Sequence, residues 1–107
     1  MAGEIVMALY RPHEGKTAEL RALIAGHLPA LKAEGLVTER PALLLQAADG
    51  TFIEIFEWRS AEAASRAHGA PQIAAIWEAV GKIADFVPLN ALPEAAKPFS
   101  HFRPVDL

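Results

Sequence analysis

The sequence predicts an α+β domain, in which two helices pack on one face of a four-stranded antiparallel sheet in the order β-α-β-β-α-β. Three observations predict it. Short apolar runs of strand length occur near the start, in a central pair and near residue 90. Two longer stretches between them carry apolar residues at helical spacing. The central pair, LLLQAADGTFIEIFEW at 43–58, is joined by Asp49-Gly50, a strong hairpin signal.

The first strand is EIVMALY, 4–10, stopped by Arg11-Pro12 because proline cannot continue a ladder. HEGKT follows as a loop, with Thr17 as the expected helix N-cap. Leu20, Leu23, Ile24, His27, Leu28 and Leu31 then form one helical face, ending at Glu34-Gly35. A two-residue turn at Asp49-Gly50 pairs Gln46 with Ile53 and Leu44 with Ile55. One hairpin face then carries Leu44, Gln46, Ile53, Ile55 and Glu57, the other Leu43, Leu45, Phe52, Glu54, Phe56 and Trp58. Ser60 caps the second helix, which HGAP at 68–71 interrupts: Gly69 ends one piece and Pro71 suits the first turn of the next. DFVPLNAL, 85–92, is the expected last strand, with Pro88 placing it at an edge or a bulge. Residues 1–92 thus form a domain of the split βαβ, ferredoxin-like type, and 93–107 an extended proline-containing tail. The tail packs on the domain or on a partner, and its Phe99, Phe102 and Val105 need burial.

Neither hairpin face reads as a solvent face, although an antiparallel hairpin normally has a wet side. Helices cover one. A second copy of the chain, sheet against sheet, is the expected cover for the other; the rival is the tail, which is short for a whole sheet face.

Composition excludes several function classes. With 107 residues, 52% of them hydrophobic, one folded domain is expected. Ten basic and 13 acidic residues give a net charge of −3, and without a Lys/Arg run no nucleic-acid partner is expected. The absence of cysteine removes disulfides, thiolate nucleophiles and Cys-type zinc sites. MAGEIVMALYRP has no signal-peptide pattern and no stretch is long enough to span a membrane, so a cytoplasmic protein with no membrane partner is the default. The four histidines are scattered, and the His13-Glu14 pair lacks the second histidine of a zinc-protease motif, so no metal is expected.

The element order, EGKTAELRALIAGHLPALKAEG in the first helix and FEWRSAEAASRAHGAPQIAAIW after the hairpin resemble the dimeric α/β-barrel superfamily. The nearest branch is that of the antibiotic-biosynthesis-monooxygenase-like (ABM) domains. The residues that carry the resemblance are Glu57-Trp58, Ser60, Ala67-His68 and Pro71. One departure is Phe56, at a position where many members carry a glutamate. The resemblance implies a homodimer whose sheets close into a barrel, with a pocket in each subunit between sheet and helices. Some members oxidise aromatic polyketides or quinols with molecular oxygen, without metal or flavin. The haem-degrading pattern is not matched, since Trp77 follows His68 and the first strand has no Asn.

His68 is the candidate catalytic base. A neutral imidazole accepts a phenolic proton near pH 7, and a phenolate gives an electron to oxygen more readily than a phenol. The competing reading is a histidine that merely ends a helix piece and suits its dipole. Trp58, Trp77 and Phe56 are candidate walls for a flat aromatic ligand, and for Trp77 a core role competes. Glu54 and Glu57 fall on opposite strand faces; either a pocket carboxylate orients a histidine, or both are ion-paired or exposed. Tyr10 is the single tyrosine, able to donate to a substrate oxygen. His27 lies on an apolar helix face, where a satisfied core histidine is the commoner finding. The function expected is a small homodimeric, cofactor-independent monooxygenase acting on a phenolic or quinol-type ring. The alternative is a non-catalytic ligand-binding or structural dimer on the same fold.

Overall fold

A computed structural model describes residues 3–106; residues 1, 2 and 107 of the domain and tail ranges lie outside it. The elements are β1 (Glu4–Pro12), α1 (Thr17–Ala33), β2 (Leu43–Gln46), β3 (Phe52–Trp58), α2 (Ala61–His68), α3 (Pro71–Ile83), β4 (Ala84–Phe86) and β5 (Arg103–Pro104). The sheet is antiparallel with strand order β4-β1-β3-β2-β5. It therefore has five strands where the sequence predicts four, and three helices where it predicts two. The extra helix arises at the HGAP break: Gly69 caps α2 and Pro71 opens α3, so the two pieces are separate. The extra strand comes from the tail. Arg103 and Pro104 pair with Gln46 and Leu45, and the Val105 amide donates to the Leu44 carbonyl at 2.8 Å. A two-residue strand has no period to show in a sequence.

Local chemistry fixes the helix ends. The Ser60 hydroxyl accepts from the Ala63 amide at 3.3 Å, a cap worth about 1 kcal/mol. Thr17 is not the cap of α1 but its first residue, and no side chain caps that end. Gly35 follows α1 at φ +70°, where glycine costs least. The predicted strand at 85–92 is shorter, because after Phe86 the chain turns at Pro88 into a 3-10 turn over Leu89–Ala91.

The hairpin is one residue out of the predicted register. Leu44 faces Glu54 and Gln46 faces Phe52. The turn is a three-residue loop: the Gly50 amide donates to the Ala47 carbonyl, the Ala47 amide to the Thr51 carbonyl, and Gly50 sits at φ +94°. The predicted faces therefore exchange halves. Leu44 joins Tyr10, Phe52, Leu20, Ile24 and Val80 under the helices, and a second helix-side cluster gathers Leu31, Phe56, Trp58, Ala63, Ala67 and Ile73. All three helices thus cover one face.

The other face is covered over half its length. Leu92, Val87 and Phe102 from the end of the chain pack on Leu9, Ala47, Ile53 and Leu45. Arg11 holds that end together, reaching Thr51 Oγ1 and Asp49 at 3.2 Å each. Toward the far end Ile5, Met7 and Leu43 remain 55%, 42% and 51% exposed. Of the tail's apolar residues, Phe102 and Val105 pack on the core, whereas Phe99 is 81% exposed, against the expectation that it is buried.

Candidate functional site

Between β1, β3 and the helices lies a cavity of about 340 Å3 lined by Val6, Ala8, Tyr10, His27, Phe56, Trp58, His68, Trp77 and Phe86. Its floor follows from strand alternation. Val6, Ala8 and Tyr10 point to the helix side of β1, opposite Phe56, Glu54 and Phe52 of β3. Ala8, a methyl group between larger neighbours, leaves the space. His27 enters from α1, His68 from the end of α2 and Trp77 from α3.

Two polar features differ in kind. The first is a buried chain of hydrogen bonds. Trp77 Nε1 lies 2.9 Å from His27 Nε2, His27 Nδ1 lies 2.9 Å from Glu54 Oε1, and the Tyr10 hydroxyl lies 2.7 Å from the same oxygen. The proton positions follow from the donor inventory. An indole nitrogen only donates, so His27 Nε2 is the acceptor and the ring proton sits on Nδ1. A second ring proton would meet the Trp77 N–H head-on. His27 is therefore the neutral Nδ1–H tautomer, donating to Glu54, and Tyr10 donates to the same oxygen. Glu54 is wholly buried, and its Oε2 has no hydrogen-bond partner among the described residues. Burial first, then the Glu54 charge and the hydrogen bond to it, push the Tyr10 hydroxyl far above its ordinary pKa, so it keeps its proton.

The second feature is His68. It is exposed and packs edge-on against Trp77 with ring centroids 4.9 Å apart. Neither of its nitrogens has a hydrogen-bond partner among the described residues. It stands at the cavity's rim. The aromatic walls are interlocked: Phe56 and Trp58 at 5.0 Å, His27 and Phe56 at 5.7 Å, and Tyr10 and Phe86 at 5.7 Å, all edge-to-face.

Of the residues singled out from sequence, His68, Trp58, Trp77, Phe56, Tyr10 and His27 line this one cavity. Glu54 is not on its wall but binds two residues that are. Glu57 points to the opposite face, where Thr38 Oγ1 donates to it at 2.7 Å and Arg40 Nε at 3.0 Å. Its arginine is thus Arg40. Sequence reasoning missed Val6, Ala8 and Phe86. The alternation of β1 carried the signal for the first two, since they share a face with Tyr10. Phe86 lies in the strand expected at an edge or a bulge, which the structure pairs with β1, and no spacing links it to the cavity.

No cluster of three or more His, Asp or Glu that could hold a metal ion occurs among the described residues, and none of their helices is long and apolar enough to cross a membrane. No family model, curated protein or solved structure matches the chain.

Proposed function

We propose that the chain binds a flat phenolic or quinol-type ring in this cavity and promotes its oxidation by molecular oxygen, with His68 as the base. The observation that carries the reading is an unpartnered imidazole on the rim of an aromatic-walled cavity. The ring stacks among Trp58, Trp77 and Phe56, and its hydroxyl gives its proton to His68. The resulting phenolate is the electron-rich form that oxygen attacks. For a ring bearing an oxidisable methylene, one oxygen atom becomes the new carbonyl and the other leaves as water. The substrate supplies all four electrons, so the stoichiometry calls for no added reductant. The ABM resemblance supports the same reading, together with a ferredoxin-like subunit whose bare half-face, Ile5, Met7 and Leu43, meets that of a second copy.

A second reading, a ligand-binding dimer without chemistry, is favoured by one observation: no carboxylate or carbonyl among the described residues orients the His68 ring. Oxygen uptake with anthrones and hydroquinones, wild type beside His68→Ala, separates the two. Loss of a base typically costs about 10²–10⁴ in rate. Equal turnover removes His68 from the mechanism, and no turnover on any ring leaves the binding reading. Sedimentation at micromolar concentration tests the pairing: a dimer is expected for the wild type, and Met7→Arg should dissociate it.

A further inference from the structure

Tyr10, His27 and Trp77 border the cavity, yet their polar atoms are engaged elsewhere. Trp77 N–H is given to His27, His27 Nδ1–H to Glu54 and Tyr10 O–H to Glu54. Glu54 is wholly buried, and without these donors its carboxylate would be left unpaired. The bonds therefore stay with Glu54 rather than turning to a ligand. Beneath the cavity β1 and β3 are paired from Glu4 and Trp58 to Tyr10 and Phe52, so the backbone between them is satisfied. What faces the space is almost wholly apolar. Burial divides this lining in two. Tyr10, His27, Phe56 and Trp58 are buried and form the wall, whereas His68 and Phe86 are exposed and mark the mouth.

We infer that the cavity takes rings whose polar atoms all lie on one edge, held at the mouth, and rejects rings with an oxygen on the opposite edge as well. The inference rests on the reading above, in which a ring enters with its hydroxyl at His68. A second oxygen across the ring lies against the buried wall, loses its water and finds no partner. The cavity, about 340 Å3, is near the small end of ligand sites, so a fused ring that fills it leaves little room for a water to follow that oxygen. A phenol with one polar edge therefore fits, and a para-quinol, with oxygens on opposite edges, does not. A ring with an oxidisable methylene opposite its hydroxyl fits for the same reason. The carbonyl that replaces the methylene does not, so the product is held less tightly than the substrate.

The test is anaerobic calorimetry with two isomers. Naphthalene-2,3-diol carries both hydroxyls on one edge, and naphthalene-2,6-diol carries them at opposite ends. Rings and atoms are the same, so general hydrophobicity does not separate the two. No turnover is needed. A ratio near one beside active oxygen uptake sinks this inference alone, and a clear ratio without oxygen uptake sinks the catalytic reading alone. The wild type should bind the 2,3-isomer about tenfold more tightly or better, the effect of one unpaired buried hydroxyl. Ala8→Ser sets a hydroxyl on the floor and should shrink the ratio by improving the 2,6-isomer. Val6→Thr, which keeps the side chain's shape, does the same should the serine variant not fold. His68→Ala should weaken both isomers and leave the ratio standing, because the penalty arises at the wall. Equal affinities in the wild type, or a tighter 2,6-isomer, overturn the inference and point to a donor on the wall, the Trp58 N–H first. A ratio that the added hydroxyl does not reduce, or that disappears in His68→Ala, overturns it too. So does failure of the 2,3-isomer to bind at millimolar concentration.

Discussion

Glu54 and Glu57 lie three residues apart on the same strand and are held in opposite ways. Glu57 faces the side of the sheet away from the helices, where the Thr38 hydroxyl, then the Arg40 guanidinium, hold its carboxyl below the usual carboxylate value. Glu54 faces the core, wholly buried, with two neutral donors on one oxygen and none on the other. Water and a mobile cation can replace the partners of the first. Nothing can replace those of the second. The pair teaches that the energetic weight of a glutamate follows from what is left behind when it is removed.

The comparison breaks most visibly by deletion. Glu54→Leu leaves the Tyr10 hydroxyl and the His27 N–H buried without an acceptor, at about 1–3 kcal/mol each. A loss of roughly 3 kcal/mol or more is expected in urea unfolding, with Glu57→Ala barely separable from wild type in the same series. Similar midpoints for the two variants would show that Glu54 is no more than a surface carboxylate in disguise.

Alkaline unfolding sharpens the contrast through Tyr10. Its folded pKa is raised, whereas the unfolded phenol ionises at its ordinary value of 10.0. Stability from this group is full below that value and falls as pH rises beyond it, by about 1.4 kcal/mol per pH unit. Tyr10→Phe should flatten that limb of the stability curve. A wild-type curve already parallel to the variant's would show that folding does not raise the phenol's pKa.

The Glu57 effect has the opposite sign and lies in acid. Because its folded pKa is lowered from 4.5, its contribution is complete above that value and lost as pH drops through the folded one. Arg40→Gln should shrink the acid-dependent part of the wild-type curve, measured by thermal melts between about pH 5 and pH 2. Smallest of all is Phe99→Ser, which should leave the melting temperature unchanged, since the ring is in solvent.

Much of this was legible in the sequence, for reasons that differ by residue. Ser60, Gly69 and Pro71 announce helix ends through short-range chemistry, and short-range chemistry needs no knowledge of the fold. Asp49-Gly50 announces a turn but not its length. The same dipeptide serves a two-residue loop and a three-residue loop with Gly50 in the left-handed region, and one residue of difference moves Leu44 to the other face. The tail strand hides because Pro98 and Pro104 read as extended chain. The network hides because its members are 27, 44 and 50 residues apart. One signal was nevertheless there. His27 on an apolar helix face and Glu54 in an apolar strand are two polar groups facing burial, and each is satisfied most readily by the other.

The fifth strand carries a further consequence. Leu45 and Gln46 are already paired by β5, and Pro104 within β5 has no amide to offer a newcomer. At the opposite border β4 is three residues long and Pro88 follows closely behind it. Short borders and prolines are the devices that keep sheets from recruiting strands of neighbouring molecules. Fibre-like growth along the hydrogen-bonding direction is therefore discouraged where β5 and β4 form the border, and the edge of β1 left beyond β4, whose partners there are Tyr10, Arg11 and Pro12, is the stretch without such a device.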